Sequence, residues 1–132
     1  PLDGAREFLD WLRAKSQVII LSDTFEQFAA PLMRQLGWPT LLCHELEVAA
    51  NGRITGYRLR MPDQKRRAVE ALRAMNYDII AAGDSHNDLS MLQSANHGIL
   101  FRPTDAFAAA NPQFPVTREH TALKSEIEKL LV

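Results

Sequence analysis

The sequence has little net charge, a single cysteine and no long apolar run, and each shortage argues against a class of protein. Its 132 residues carry 15 basic and 16 acidic side chains, so no overall field attracts nucleic acid or an anionic membrane. Cys43 is the only cysteine, which excludes a disulfide within these residues and is typical of a reducing compartment. No apolar run approaches the ~20 residues that cross a bilayer. We therefore expect a soluble, cytoplasmic protein with no nucleic-acid or membrane partner.

The apolar pattern alternates between short strands and amphipathic helices, within a length that suits one domain. Short apolar runs predict strands over residues 17–21, 41–43, 79–82 and 99–101. The pair Asn51-Gly52 predicts a tight hairpin within residues 46–59. Helical spacing predicts helices over residues 2–12, 25–36, 62–76, 87–95, 105–110 and 123–131. This alternation predicts a three-layer, Rossmann-like α/β fold, in which a parallel sheet with a β-hairpin insertion is covered on both faces.

Two carboxylates follow the third of these predicted strands, in the stretch AAGDSHNDLSML. Ligands of such sheets bind beyond the carboxyl ends of the strands, which is where Asp84 and Asp88 fall. Two carboxylates held close together repel, so they either share a proton or surround a cation, and Mg²⁺ suits a site of one or two carboxylates plus a phosphate. The alternative is structural: Ser85 caps the helix and Asp88 complements its positive end. Asn87 either orients a substrate oxygen or holds the turn.

Polar residues also follow the first predicted strand, where Ser22, Asp23 and Thr24 precede a helix. A hydroxyl and successive backbone N–H groups at such a position can hold an anion. The alternative is that Ser22 or Asp23 is simply the helix cap.

A third signal is the stretch PDQKRRAVEAL, which places Lys65, Arg66 and Arg67 in the first turn of a helix. The helix dipole disfavours cations there, so a compensating anion is expected, unless all three charges are simply solvated. A hydroxyl, a lysine and paired carboxylates at the starts of successive helices are together the equipment of phosphoryl transfer.

The spaced set Ser22, Lys65 and Gly83-Asp84-x-x-x-Asp88 resembles motifs two, three and four of the haloacid dehalogenase superfamily of phosphatases and phosphotransferases. The stretches LSDTFEQF, GYRLR and AAGDSHNDLSML more narrowly resemble its phosphoserine phosphatase branch, particularly the phosphoserine:homoserine phosphotransferase members. The resemblance implies a Mg²⁺-dependent enzyme that acts on a small phosphorylated substrate such as phosphoserine, through an aspartyl-phosphate.

The resemblance also implies a role for each matching residue. Ser22 would bind the transferring phosphoryl group, with help from the backbone N–H of Asp23 or Thr24. Lys65 would be the catalytic residue that neutralises the nucleophile and the phosphate. Asp84 would coordinate Mg²⁺ and Asp88 would support the metal site or the lysine. The substrate would lie near Asn87.

One motif of the family is missing. Its first motif, an Asp-x-Asp near the start of the chain, supplies the nucleophile and the general acid, and no Asp-x-Asp occurs in these residues. The resemblance therefore implies that residues 1–132 are a partial core domain, without the first and central strand, the nucleophile and the cap, and inactive alone. It also implies that the strands before Ser22 and before Asp84 do not pair with each other.

Two other functions are compatible with the same residues. A receiver-like signalling module also gathers acids, a hydroxyl and a lysine around Mg²⁺, although it places the acidic pair early and the lysine late. A non-catalytic α/β interaction domain would use Asp84 and Asp88 only as caps.

Overall fold

The computed structural model describes residues 3–131, which form an α/β chain divided into two compact units. The first unit ends at Gln64 and the second begins at Lys65. Pro1 and Leu2, where the first helix is predicted to begin, lie outside the described residues. The prediction of one partial core domain over the whole chain stays a prediction.

The helices and strands alternate along most of the chain, which confirms the predicted class. Those of the first unit are α1 (Ala5–Lys15), β1 (Ile19–Phe25), α2 (Glu26–Gln35), β2 (Thr40–Val48) and β3 (Ile54–Arg58). Helix α3 (Gln64–Ala74) begins at the last residue of that unit. The second unit continues with β4 (Ile80–Gly83), a 3-10 turn (His86–Asp88), α4 (Leu89–Ser94), β5 (His97–Phe101), α5 (Asp105–Ala110), β6 (Val116–Thr117) and α6 (His120–Leu130). Within residues 3–131, no helix has the length and apolar character needed to cross a membrane.

The first unit is built on a three-stranded sheet in the order β1-β2-β3. β1 runs parallel to β2, and β2 and β3 form the predicted antiparallel hairpin. Gly52 has φ +84° in the connecting turn, a conformation that favours glycine. The core of the unit consists of Leu9, Met33 and Leu36, against which β1 and β2 pack their apolar residues.

Strand β1 continues through the polar residues that were predicted to follow it. Its pairing passes from Leu21 opposite Leu42 to Phe25 opposite His44, so residues 22–24 face Cys43 alone and form an irregular bulge. The N-cap of α2 is Phe25, without a side-chain cap. The prediction that the strand ends at Leu21 is therefore wrong, and so is the alternative of a Ser22 or Asp23 cap. The reason is that β2 continues past Leu42, so that His44 pairs with Phe25.

The second unit is built on a parallel sheet in the order β4-β5-β6. Its centre is the most deeply buried part of the described chain, because Leu92, Ile99 and Leu100 are almost completely inaccessible. The two-residue strand β6 was not predicted, since its sequence has no apolar alternation. Its Thr117 hydroxyl donates to the Leu100 carbonyl at 2.7 Å, which fixes it beside β5.

Strands β1 and β4 belong to different sheets, as the missing first motif led us to expect. Ile19 and Ile20 pair with Thr40 and Leu41, whereas Ile80 pairs with His97. Within residues 3–131, each of these two strands therefore has a hydrogen-bonded neighbour on one side only.

The close packing around Gly98 in β5 gives a stability prediction. A Cβ at Gly98 would lie 2.7 Å from the Phe114 ring and 3.1 Å from the Leu92 carbonyl oxygen. We expect Gly98→Ala to lower the free energy of unfolding by about 1–3 kcal/mol, measured by urea denaturation. Gly56→Ala in β3 is the control, because the Cβ would meet the flexible Glu47 side chain and should change stability by no more than about 0.5 kcal/mol. Equal effects of the two substitutions would contradict the packing argument.

Candidate active site

A nearly buried ion pair joins Lys65 of α3 to Asp88 of the 3-10 turn. The Lys65 Nζ lies 2.7 Å from the Asp88 Oδ1, and the two side chains are 14% and 10% exposed. The lysine occupies the first turn of its helix, where a cation is unfavourable without an anion nearby. The structure thus identifies Asp88 as the anion that the sequence led us to expect for Lys65.

The second oxygen of Asp88 binds backbone N–H groups. Its Oδ2 accepts from the Asp84 N–H at 2.9 Å and from the Ser85 N–H at 3.4 Å. The Ser85 side chain in turn accepts from the Asp88 N–H, which completes a capping box. The structural interpretation, in which Ser85 is a helix cap and Asp88 lies at the positive end of the helix, is therefore confirmed. The Asp88 carboxylate also binds Lys65.

These contacts set the ionisation of Asp88. Burial alone would raise the pKa of Asp88, but the hydrogen bonds from Lys65 and from the Asp84 N–H outweigh it and hold the pKa below the usual 3.8. Asp88 is therefore ionised at neutral pH, as a partner of Lys65 requires.

The residue before Asp84 must be a glycine, because Asp88 packs directly against the Gly83 backbone. A Cβ at this position would lie 2.6 Å from the Asp88 Cβ and 2.7 Å from its Oδ2. No side chain fits in that space unless Asp88 moves. The Gly-Asp-x-x-x-Asp spacing is thus a packing requirement as well as a pattern of charges.

The donor set at this site fits Mg²⁺ in part. Asp84 is exposed at the end of β4, where its carboxylate can face a ligand. Mg²⁺ keeps several waters and is commonly held by one or two carboxylates plus a phosphate, which is compatible with Asp84 alone or with both acids. Within residues 3–131 no group of three or more His, Cys, Asp or Glu side chains is arranged to hold a metal. Both oxygens of Asp88 already have partners, Lys65 on one and backbone N–H groups on the other. That Asp88 is a metal ligand stays a prediction.

The first unit contains a second polar cluster, centred on the bulge of β1. The Thr24 N–H donates to the Ser22 Oγ at 3.2 Å, so this hydroxyl accepts from its own loop and can donate its proton elsewhere. The Asp23 carboxylate lies 3.5 Å from the His44 Nε2 and 3.3 Å from the Gln64 Nε2. The carboxylate of Asp23 is therefore turned toward His44 and Gln64. That the backbone N–H of Asp23 contacts a phosphate stays a prediction.

Sequence reasoning missed His44 and Gln64, which are 5% and 1% exposed. Each does carry a signal: His44 interrupts an apolar strand segment, and Gln64 directly precedes the predicted catalytic lysine. Neither signal is specific, because buried histidine and glutamine residues usually serve packing.

The predicted site residues fall into two groups. In the second unit Asp88 contacts both Lys65 and the Asp84 N–H, and Asn87 is exposed in the same 3-10 turn as Asp88. The three residues of the β1 bulge belong to the first unit. That the two groups form one site stays a prediction, and so do the individual roles.

The ion pair gives a stability prediction. We expect Lys65→Met to lower the free energy of unfolding by about 2–3 kcal/mol, because it leaves the Asp88 carboxylate nearly buried without its cation. Arg67→Met, an exposed position in the same helical turn, should cost no more than about 0.5 kcal/mol. Urea denaturation at neutral pH measures both, and similar costs would show that the pair contributes nothing.

The lowered pKa of Asp88 gives a pH prediction. A carboxyl whose pKa is lower in the folded state stabilises the protein above its unfolded pKa of about 3.9, and loses that contribution as pH falls through the folded pKa. We therefore expect the stability difference between wild type and Asp88→Asn to be constant above about pH 5 and to shrink below about pH 4. A difference independent of pH down to the acid limit of folding would contradict the shift. Asp10→Asn, at an exposed surface pair with Arg6, is the control.

The chain is similar to known proteins over nearly all of its length. A family model described as haloacid dehalogenase-like hydrolase matches residues 1–93. Phosphoserine phosphatase ThrH of Pseudomonas aeruginosa is 53% identical over 129 residues, which are 98% of this chain and 63% of that protein. A phosphoserine phosphatase of Pseudomonas syringae pv. tomato is 53% identical over 129 residues, which are 98% of this chain and 54% of that protein. The chain thus spans less than two thirds of the length of either relative.

A solved structure shares the fold. The structure of a substrate-bound phosphoserine phosphatase complex matches 100% of this chain and 64% of that chain, with a TM-score of 0.76 and 21% identity. At this identity the likeness shows the fold alone, and it confirms the predicted Rossmann-like class.

Proposed function

Because the chain belongs to the haloacid dehalogenase-like hydrolase family, we propose that it carries the phosphate-binding and metal-binding residues of a magnesium-dependent phosphoserine phosphatase or phosphotransferase. The substrate is a small phosphorylated molecule such as phosphoserine, and the protein acts in the cytoplasm. The observation that carries the proposal is the Lys65–Asp88 ion pair beside Asp84, at the carboxyl end of β4. This is the edge of a parallel sheet at which α/β proteins bind their ligands.

The lysine supplies positive charge to the phosphate. An ammonium group has three donors, so Lys65 can bind Asp88 with one and address a phosphate oxygen with another. Asp88 fixes the direction of the lysine, since its second oxygen is anchored by the backbone N–H groups of Asp84 and Ser85. The Ser22 hydroxyl donates to a further phosphate oxygen, and Asn87 contacts the substrate.

Asp84 is the residue that would hold Mg²⁺, and Asp88 would support the metal site. A bound Mg²⁺ would neutralise charge on the phosphoryl oxygens during transfer. The protein itself contributes an exposed carboxylate, Asp84, whose neighbour Asp88 is neutralised by Lys65, so that the three groups together carry one negative charge instead of two.

The covalent step requires the nucleophilic aspartate of an Asp-x-Asp motif, and these 132 residues contain no such motif. In an aspartyl-phosphate mechanism an aspartate oxygen attacks phosphorus, the bond to the substrate oxygen breaks, and a general acid protonates the leaving alcohol. Water, or an alcohol in a phosphotransferase, then accepts the phosphoryl group. With no Asp-x-Asp motif present, we expect the chain alone to bind phosphate without turning over phosphoserine.

The test is a titration with Mg²⁺ and inorganic phosphate, followed through the backbone amide resonances of residues 83–88. We expect saturable shifts in the wild type, and an Mg²⁺ affinity weakened at least about tenfold by Asp84→Asn, because one carboxylate ligand is lost. Asp78→Asn is the matched control, since this exposed aspartate precedes the opposite end of β4. No response in the wild type would favour a non-catalytic interaction domain, and covalent labelling by a small phosphodonor would favour a receiver.

A further inference from the structure

Gln64 is the most deeply buried polar side chain of the first unit, and its hydrogen bonds converge on the β1 bulge. It is 1% exposed. Its Nε2 donates to the Ser22 carbonyl oxygen and, at 3.3 Å, to the Asp23 Oδ1. Its Oε1 accepts from the Arg60 Nη2 at 2.9 Å and from the Arg60 Nε at 3.3 Å. The Gln64 amide thus binds the main chain of Ser22 and the side chain of Asp23, which are successive residues of the bulge.

The orientation of this amide follows from its partners. A guanidinium group only donates, so the amide atom that faces Arg60 is the oxygen. The NH₂ group therefore points at the Ser22 carbonyl and the Asp23 carboxylate, both of which accept. Every polar atom of the Gln64 side chain has a partner, as burial requires.

His44 supports the bulge from the opposing strand. Its Nδ1 accepts from the Arg60 N–H at 2.9 Å, so the neutral ring carries its proton on Nε2, which faces Asp23 at 3.5 Å. Arg60 thus orients both Gln64 and His44, one through its side chain and the other through its backbone.

The bulge needs such support because the sheet does not provide it. Residues 22–24 face a single residue of β2, so the regular ladder cannot bind all of their backbone groups. The Ser22 carbonyl is bound by a side chain from another part of the chain instead. The backbone enters the left-handed region at Asp63, with φ +49°, directly before Gln64 begins α3.

We propose that Gln64 is a positioning residue, which holds the Ser22-Asp23-Thr24 bulge in the conformation that presents the Ser22 hydroxyl to a phosphate group. The inference rests on the proposed function, because it takes Ser22 as a phosphate ligand. Gln64 itself does not touch the phosphate. It fixes the carbonyl of Ser22 and turns the Asp23 carboxylate aside, so that a negative charge does not face the anion.

The test replaces Gln64 with methionine, which has a similar length and no hydrogen-bonding amide. The probe is inorganic phosphate in the presence of Mg²⁺, and the readout is the amide shifts of residues 22–24 at a temperature where each variant is fully folded. We expect the dissociation constant to rise about tenfold or more, because two hydrogen bonds that fix the bulge are lost. Without phosphate, hydrogen exchange at the Thr24 amide should become faster. Gln35→Met, an exposed position in α2, is the matched control and should change neither quantity.

The outcomes separate this inference from the proposed function. A folded Gln64→Met protein that binds phosphate as tightly as wild type would overturn the positioning role, even if its melting temperature were lower. A wild-type protein whose bulge amides do not respond to phosphate would overturn the proposed function and this inference with it.

A second variant covers the case in which Gln64→Met does not fold. Gln64→Asn keeps a neutral amide but is one methylene shorter, so it cannot reach both Arg60 and the Ser22 carbonyl; it should fold and still show faster exchange at Thr24. Exchange at the wild-type rate would overturn the inference.

Discussion

The polar arrangement at the carboxyl end of β4 depends on one requirement, that a nearly buried carboxylate must have a partner on each oxygen. Asp88 meets it with the Lys65 ammonium on one side and two backbone N–H groups on the other. Three separate features of the sequence follow from this. A cation can occupy the first turn of α3, a glycine must precede the first acid, and the second acid must come four residues after Asp84 so that it can reach back to the Asp84 N–H.

The polar cluster of the first unit is built differently, around the backbone and side-chain acceptors of a bulge whose carboxylate is about half exposed. The Ser22 carbonyl and the Asp23 carboxylate are bound by the amide of Gln64, and His44 faces the same carboxylate. No lysine contributes to this cluster among the contacts that the structure describes. The amide of Gln64 is neutral and is itself held by the Arg60 guanidinium, so it binds the acceptors of the bulge without adding a charge of its own.

Structural and functional interpretations of the same residue need not exclude each other. Asp88 caps a turn, as a purely structural interpretation requires, and it also orients the lysine that phosphate binding would need. A phosphoryl-transfer site works because donors and cations are fixed before the substrate arrives. Because Asp88 is held by the backbone of the turn, the turn also determines the direction of the Lys65 side chain that Asp88 binds.

Local patterns in the sequence were sufficient for the α/β class, for the hairpin at Asn51-Gly52 and for the acids after β4, because apolar period and turn chemistry depend on near neighbours. Tertiary structure decided the rest. Strand β1 runs on to Phe25 because β2, a distant segment, continues beside it, and β6 exists only because β5 offers it an edge. Lys65 pairs with an anion 23 residues away in the sequence, and Gln64 binds the Ser22 carbonyl 42 residues away. Contacts at such separations depend on how the chain folds back on itself, which no local pattern of residues specifies.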